Sequence, residues 1–105
     1  MDKNHILIVE DDADIRSGIE IYLKNQGYDV SQAGDGIEGL AVIEKEEIDL
    51  AIVDIMMPRM DGIEMLRRLR ERGNMAYVII LTAYDSFAYA QSALRLGAVD
   101  FLLKP

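Results

Sequence analysis

Five short runs, most of them rich in Ile and Val, punctuate the chain at Ile6 to Val9, Asp29 to Ala33, Leu50 to Val53, Val78 to Leu81 and Phe101 to Leu103. Stretches of helical period lie between them. Runs this short are strands rather than helices, and apolar side chains at consecutive positions suit strands covered on both faces. Strands of that kind alternating with helices predict an α/β fold with one parallel sheet. The 105 residues allow a single domain, and no repeat, linker or low-complexity tract interrupts the alternation.

The intervening helices are read from spacing. Ile15, Ile19, Tyr22 and Leu23 line one helix face, with Gly27 placed to close it. Ile37, Leu40, Ala41 and Ile43 mark a second, shorter helix. Ile63, Leu66 and Leu69 mark a third, with Asp61 and Glu64 spaced as a capping box and Gly73 at its end. A fourth runs from about Asp85 to Leu96, before Gly97. The arginines 67, 68, 70 and 72 read as a solvated helix face, and the methionines near Asp54 as packing.

Where the reactive side chains fall is the main functional signal. Val9 leads through Glu10 to Asp11 and Asp12, Val53 to Asp54, Leu81 to Thr82 and Leu103 to Lys104. The carboxyl ends of the strands in an open parallel sheet form the crevice where ligands bind, so these groups are expected to meet. Each alone has a structural reading: Asp11 and Asp12 as helix caps, Asp54 as a turn, Thr82 as a cap, Lys104 as a solvated cation. Together they bring carboxylates close enough to repel unless a cation joins them. Oxygen-only donors and few protein ligands suit Mg²⁺, and Mg²⁺ with a lysine and a hydroxyl suits phosphoryl chemistry. With no Cys and one His, at position 5, thiolate zinc sites, disulfides, thiol nucleophiles and His-centred triads are excluded, leaving a carboxylate as nucleophile.

Charge narrows the partners. Nineteen acids face eleven bases, for a net charge of −8, with the acid excess in the first half. Such a surface repels nucleic-acid phosphates and anionic lipid, so neither direct nucleic-acid binding nor membrane attachment is expected. The first apolar run is too short for a signal peptide or membrane span, and a cytoplasmic location is expected.

Gly34-Asp35-Gly36-Ile37-Glu38-Gly39 fits the dinucleotide fingerprint G-x-G-x-x-G, with Asp54 about 20 residues on. Asp35 and Glu38 would set negative charge beside a pyrophosphate, and one short domain cannot supply two mononucleotide-binding halves. The glycines are therefore read as a turn and close helix packing. No P-loop is present, and Ile55-Met56 after Asp54 lacks the second aspartate of aspartyl phosphatases.

Ile8-Val9-Glu10-Asp11-Asp12, Asp54 through Gly62, Leu81-Thr82-Ala83 and Gly97 through Pro105 resemble, in order and spacing, the receiver domain of two-component response regulators. The resemblance covers nearly the whole chain. It implies a flavodoxin-like, doubly wound five-stranded sheet of order 2-1-3-4-5, with the family's fifth helix absent and residues 1–105 forming a receiver truncated after the fifth strand, without its output domain. It implies a signalling switch that catalyses its own phosphotransfer and slow dephosphorylation, rather than an enzyme for a separate substrate. Asp54 would accept a phosphoryl group from a sensor histidine kinase. Mg²⁺ would be held by Asp54, by Asp12 directly, by Asp11 largely through water, and by the Met56 carbonyl. Lys104 would contact the phosphoryl group, joined after transfer by the Thr82 hydroxyl and the Ala83 amide, with Phe101 as switch aromatic.

The stretch Ala83 to Ala90 and the Leu-Leu-Lys-Pro ending are similar to receivers that precede an arabinose-regulator-type helix-turn-helix output domain. Tyr77, Tyr84, Phe87, Tyr89 and Phe101 supply either a partner face or core filling beneath one helix. Absence of the fifth helix predicts a bare apolar face and, with it, marginal stability, a homodimer or exchange of elements. The rival reading is a receiver-like interaction module that is never phosphorylated.

Overall fold

The computed structural model describes residues 3–82 and 87–103. Along the chain run β1 (His5–Val9), α1 (Ala13–Asn25), β2 (Asp29–Ala33), α2 (Gly36–Lys45), β3 (Leu50–Asp54), α3 (Gly62–Glu71), β4 (Tyr77–Thr82), α4 (Phe87–Arg95) and β5 (Asp100–Leu103). All strands pair in parallel in the order β2-β1-β3-β4-β5. This is the expected sheet, with strand ends extended by a residue or so. The expected start of the fourth helix at Asp85 falls outside the described residues.

The helix ends follow local chemistry. Asp12, Asp35 and Asp61 occupy the N-caps, where their carboxylates accept backbone N–H groups that the first turn leaves unpaired. Gly27, Gly73 and Gly97 follow helix ends at φ of 92°, 78° and 95°, a region that side chains with a Cβ rarely adopt. Only half of the expected capping box at α3 forms. Asp61 accepts the Glu64 N–H at 2.8 Å, whereas the Glu64 carboxylate pairs with Arg67 and Arg68.

Alternate residues of the central strands enter two cores. Leu7, Val9, Val53, Val78 and Ile80 meet α2, α3 and α4 on one face. Ile6, Ile52 and Leu81 face the other way, against Ile19 and Leu23 of α1. Helices thus cover both faces, but unequally: α3 buries Ile63, Met65, Leu66 and Leu69, while α1 fully buries no residue. On the α1 side an apolar groove of about 520 Å³ stays open, lined by Ile19, Tyr22, Leu23, Ile52, Leu81 and Leu103 among others. Among the described residues, no helix is long and apolar enough to cross a membrane.

Two expectations need correction. Arg70 does not belong to a solvated face: its guanidinium donates to the carbonyls of Asn74, Ala76, Leu96 and Gly97, tying the end of α3 to the end of α4. Arg67 and Arg68 do lie on the exposed side with Glu64, and Arg72 pairs with Glu44. Nor is Met56 packing, since it is 58% exposed, whereas Met60 and Met65 are buried. Of the aromatics, Tyr77 and Tyr89 are exposed and Phe101 is half-buried against the larger core; Tyr84 and the Phe87 side chain lie outside the described residues.

Candidate functional site

Parallel register decides which side chains meet at the carboxyl edge of the sheet. Val9 is level with Val53 on one side and Ala33 on the other, Asp54 with Leu81, and Thr82 with Leu103. The residue after Val9 is therefore level with Asp54. That residue is Glu10, fully buried, with its N–H on the Ala33 carbonyl at 3.1 Å. Carboxylate oxygens of Glu10, Asp11 and Asp54 all lie within 4.8 Å of one another. Glu10 and Asp54 are buried, and Asp11 is exposed at the mouth.

The turn after β1 is shaped by its own acids. Glu10 Oε1 accepts the Asp12 N–H at 3.1 Å, and Asp12 Oδ1 accepts the N–H groups of Asp14 and Ile15 at 2.9 and 3.1 Å. Asp12, expected as a direct cation ligand, has its carboxylate on the first turn of α1, while the acidic group among the described residues consists of Glu10, Asp11 and Asp54. Arg16, one turn into α1, donates to the Glu10 carbonyl at 2.6 Å and to Gln32 Oε1 at 2.7 Å, fixing the turn against β2. Neither Glu10 nor Arg16 had been assigned a role from sequence.

After β3 the chain turns under tight constraint. Met56 N–H donates to Asp54 Oδ1 at 3.2 Å, and Ile55 N–H continues the ladder to the Leu81 carbonyl at 3.0 Å. Gly62 N–H returns to the Ile55 carbonyl at 2.9 Å, and a Cβ on Gly62 would come within 2.4 Å of the Asp54 carbonyl oxygen. Only glycine closes that turn without moving Asp54. Thr82 is buried at the end of β4, and Phe101 sits in β5 opposite Ile80. Ala83 and Lys104, expected beside the phosphoryl group, lie outside the described residues.

Three clustered carboxylates, two of them buried, form a donor set of oxygen alone. Such a set fits a hard divalent cation, whose charge removes the mutual repulsion. The dinucleotide reading has no room. A Cβ on Gly36 would meet the Met60 carbonyl oxygen at 2.7 Å and one on Gly39 the Met65 side chain at 2.8 Å, so both glycines serve packing of α2. Gly34 N–H, which a phosphate would need, donates to Glu38 Oε2 at 2.6 Å.

A family model for the response regulator receiver domain matches residues 6–105. The response regulator MprA of Mycobacterium avium is 41% identical over 100 residues, covering 95% of this chain and 44% of that protein. The chain therefore spans less than half the length of the curated relatives it matches. Among solved structures, a Francisella response regulator receiver domain superposes with a TM-score of 0.91 at 36% identity, covering 98% of this chain and 85% of that one. Response regulator protein TrrA from Thermotoga maritima, solved in complex with Mg²⁺–BeF, gives a TM-score of 0.86 at 31% identity, covering 97% and 87%.

Proposed function

Because the chain belongs to the response regulator receiver domain family of two-component systems, we propose that it is a phosphorylation-controlled switch with Asp54 as phosphoryl acceptor. The observation that carries this reading is the buried Asp54 carboxylate at the end of β3, with Glu10 and Asp11 oxygens within 4.8 Å. Glu10, Asp11, Asp54 and the Met56 carbonyl would hold the cation, and the Mg²⁺–BeF complex of TrrA supports Mg²⁺ as its identity. Bound there, Mg²⁺ supplies positive charge against the carboxylates and the equatorial oxygens of the incoming phosphoryl group.

The chain's own groups do the rest. One Asp54 carboxylate oxygen forms the P–O bond as the P–N bond of a kinase phosphohistidine breaks; the electron pair leaves on the imidazole nitrogen, which then takes a proton from solvent. The Met56 N–H on Oδ1 orients the carboxylate for this attack. Lys104, the Thr82 hydroxyl and the Ala83 amide bind the transferred group, and about −1.5 to −2 added charges draw Thr82 toward it and Phe101 inward. The partners are a sensor histidine kinase and a C-terminal output domain, for which residues 83–90 suggest an arabinose-regulator-type helix-turn-helix.

Incubation with acetyl phosphate and Mg²⁺ followed by intact-mass measurement tests the reading. One phosphoryl group should be gained, lost again at alkaline pH and absent in EDTA. A chain that gains no mass is the unphosphorylated interaction module instead.

A further inference from the structure

Resting on that reading, we infer that Arg59 is a positioning residue for the cation-binding turn, acting through an ion pair with the buried carboxylate of Asp35. Arg59 Nη2 pairs with Asp35 Oδ2, while Asp35 Oδ1 accepts the Glu38 N–H at 2.9 Å. The two oxygens are thus divided between the start of α2 and the turn after β3. The Asp35 side chain is only 4% exposed, so its charge depends on the arginine; a buried carboxylate without a partner is costly.

The backbone of Arg59 makes the same point. Among the described residues it is the one non-glycine with positive φ, at 66°. That conformation is strained in any residue with a Cβ, and glycine would remove the cost. What arginine adds over glycine here is the guanidinium on Asp35.

The turn carrying Arg59 is closed at its base by Gly62 N–H on the Ile55 carbonyl and, near its tip, by Met60 N–H on the Pro58 carbonyl at 2.7 Å. The tip also rests on α2, where Met60 backbone leaves no space for a Cβ on Gly36. Met56 lies between base and tip, with its N–H on Asp54 and its carbonyl assigned above to the cation. Breaking the Arg59–Asp35 pair leaves the base closed, so the turn persists while the Met56 carbonyl loses its fixed position.

The test is Mg²⁺ titration of the ¹⁵N-labelled protein, following the Asp54 and Met56 amides, with melting measured in parallel. Arg59→Gly keeps the backbone at ease and removes the pair; Asp35→Asn keeps an N-cap and removes the charge. Each should weaken Mg²⁺ binding by about tenfold and shift the Met56 amide before any Mg²⁺ is added. Their combination should be no weaker than either alone, since both break one contact, and Arg59→Lys should recover part of the affinity. An Arg59→Gly protein that binds Mg²⁺ like the wild type overturns the inference, as do fully additive single effects. A wild-type chain without Mg²⁺ affinity overturns the proposed cation site itself, and the inference with it.

Discussion

Asp11 and Asp12 are adjacent acids with different surroundings. The Asp12 carboxylate takes two backbone N–H groups at the start of α1, whereas that of Asp11 reaches Glu10 and Asp54. Asp12→Ala should therefore lower stability by about 1 kcal/mol, the usual cost of a lost N-cap, and leave Mg²⁺ affinity near wild type. Asp11→Ala should do the reverse, weakening Mg²⁺ binding strongly with little change in melting. Calorimetric titration and thermal melting of both variants check this; a loss of Mg²⁺ affinity in Asp12→Ala matching that of Asp11→Ala would contradict it. The approach of Asp11 to Asp54 was legible in the sequence because period and register are set by apolar runs. The place of Glu10 in the acidic group was legible too: Asp54, Thr82 and Lys104 each directly follow a run, and the residue at that offset after Val9 is Glu10. Adjacent Asp11 and Asp12 offer the same chemistry, and only register between β1 and β3 makes the offset decisive. Arg16 carried no such signal, since its bond to the Glu10 carbonyl depends on how α1 packs on β2.

Between elements, ties made by single side chains matter more than helix surface charge. Arg70 bonds four carbonyls from the α3–β4 connection and the end of α4. Arg70→Ala should cost about 2 kcal/mol, because partly buried carbonyls lose a charged donor. Arg67→Ala, which removes an exposed i,i+3 pair with Glu64, should stay within about 0.5 kcal/mol of wild type. Urea unfolding of the two variants separates them, and equal midpoints would refute the distinction. The four arginines looked alike in sequence because helical spacing places residues on a face without saying what the face meets. Strands and caps were easier: alternation of elements, the Asp caps and the terminal glycines are local, and the structure puts them where local chemistry requires.

At the scale of the molecule, the two faces of the sheet differ in how completely they are covered. Four residues of α3 are buried in the larger core, none of α1 is, and the groove beside α1 remains open. Local opening follows the amount of apolar contact, so α1 amides should exchange with deuterium at least about tenfold faster than those of α3 in native buffer. Matching protection in the two helices would show that α1 is held as firmly as the larger core. The carboxyl edge of the sheet does not depend on that difference, because Asp54 and Glu10 are set by the central strands. The central claim is that this edge makes Asp54, and no other acid, the phosphoryl acceptor in the presence of Mg²⁺. Borohydride reduction of the protein treated with acetyl phosphate, followed by peptide mass mapping, measures this most directly. The account predicts a single reduced position, residue 54, that disappears when Mg²⁺ is chelated and in Asp54→Asn; a product at another acid, or an Asp54 product indifferent to Mg²⁺, would contradict it.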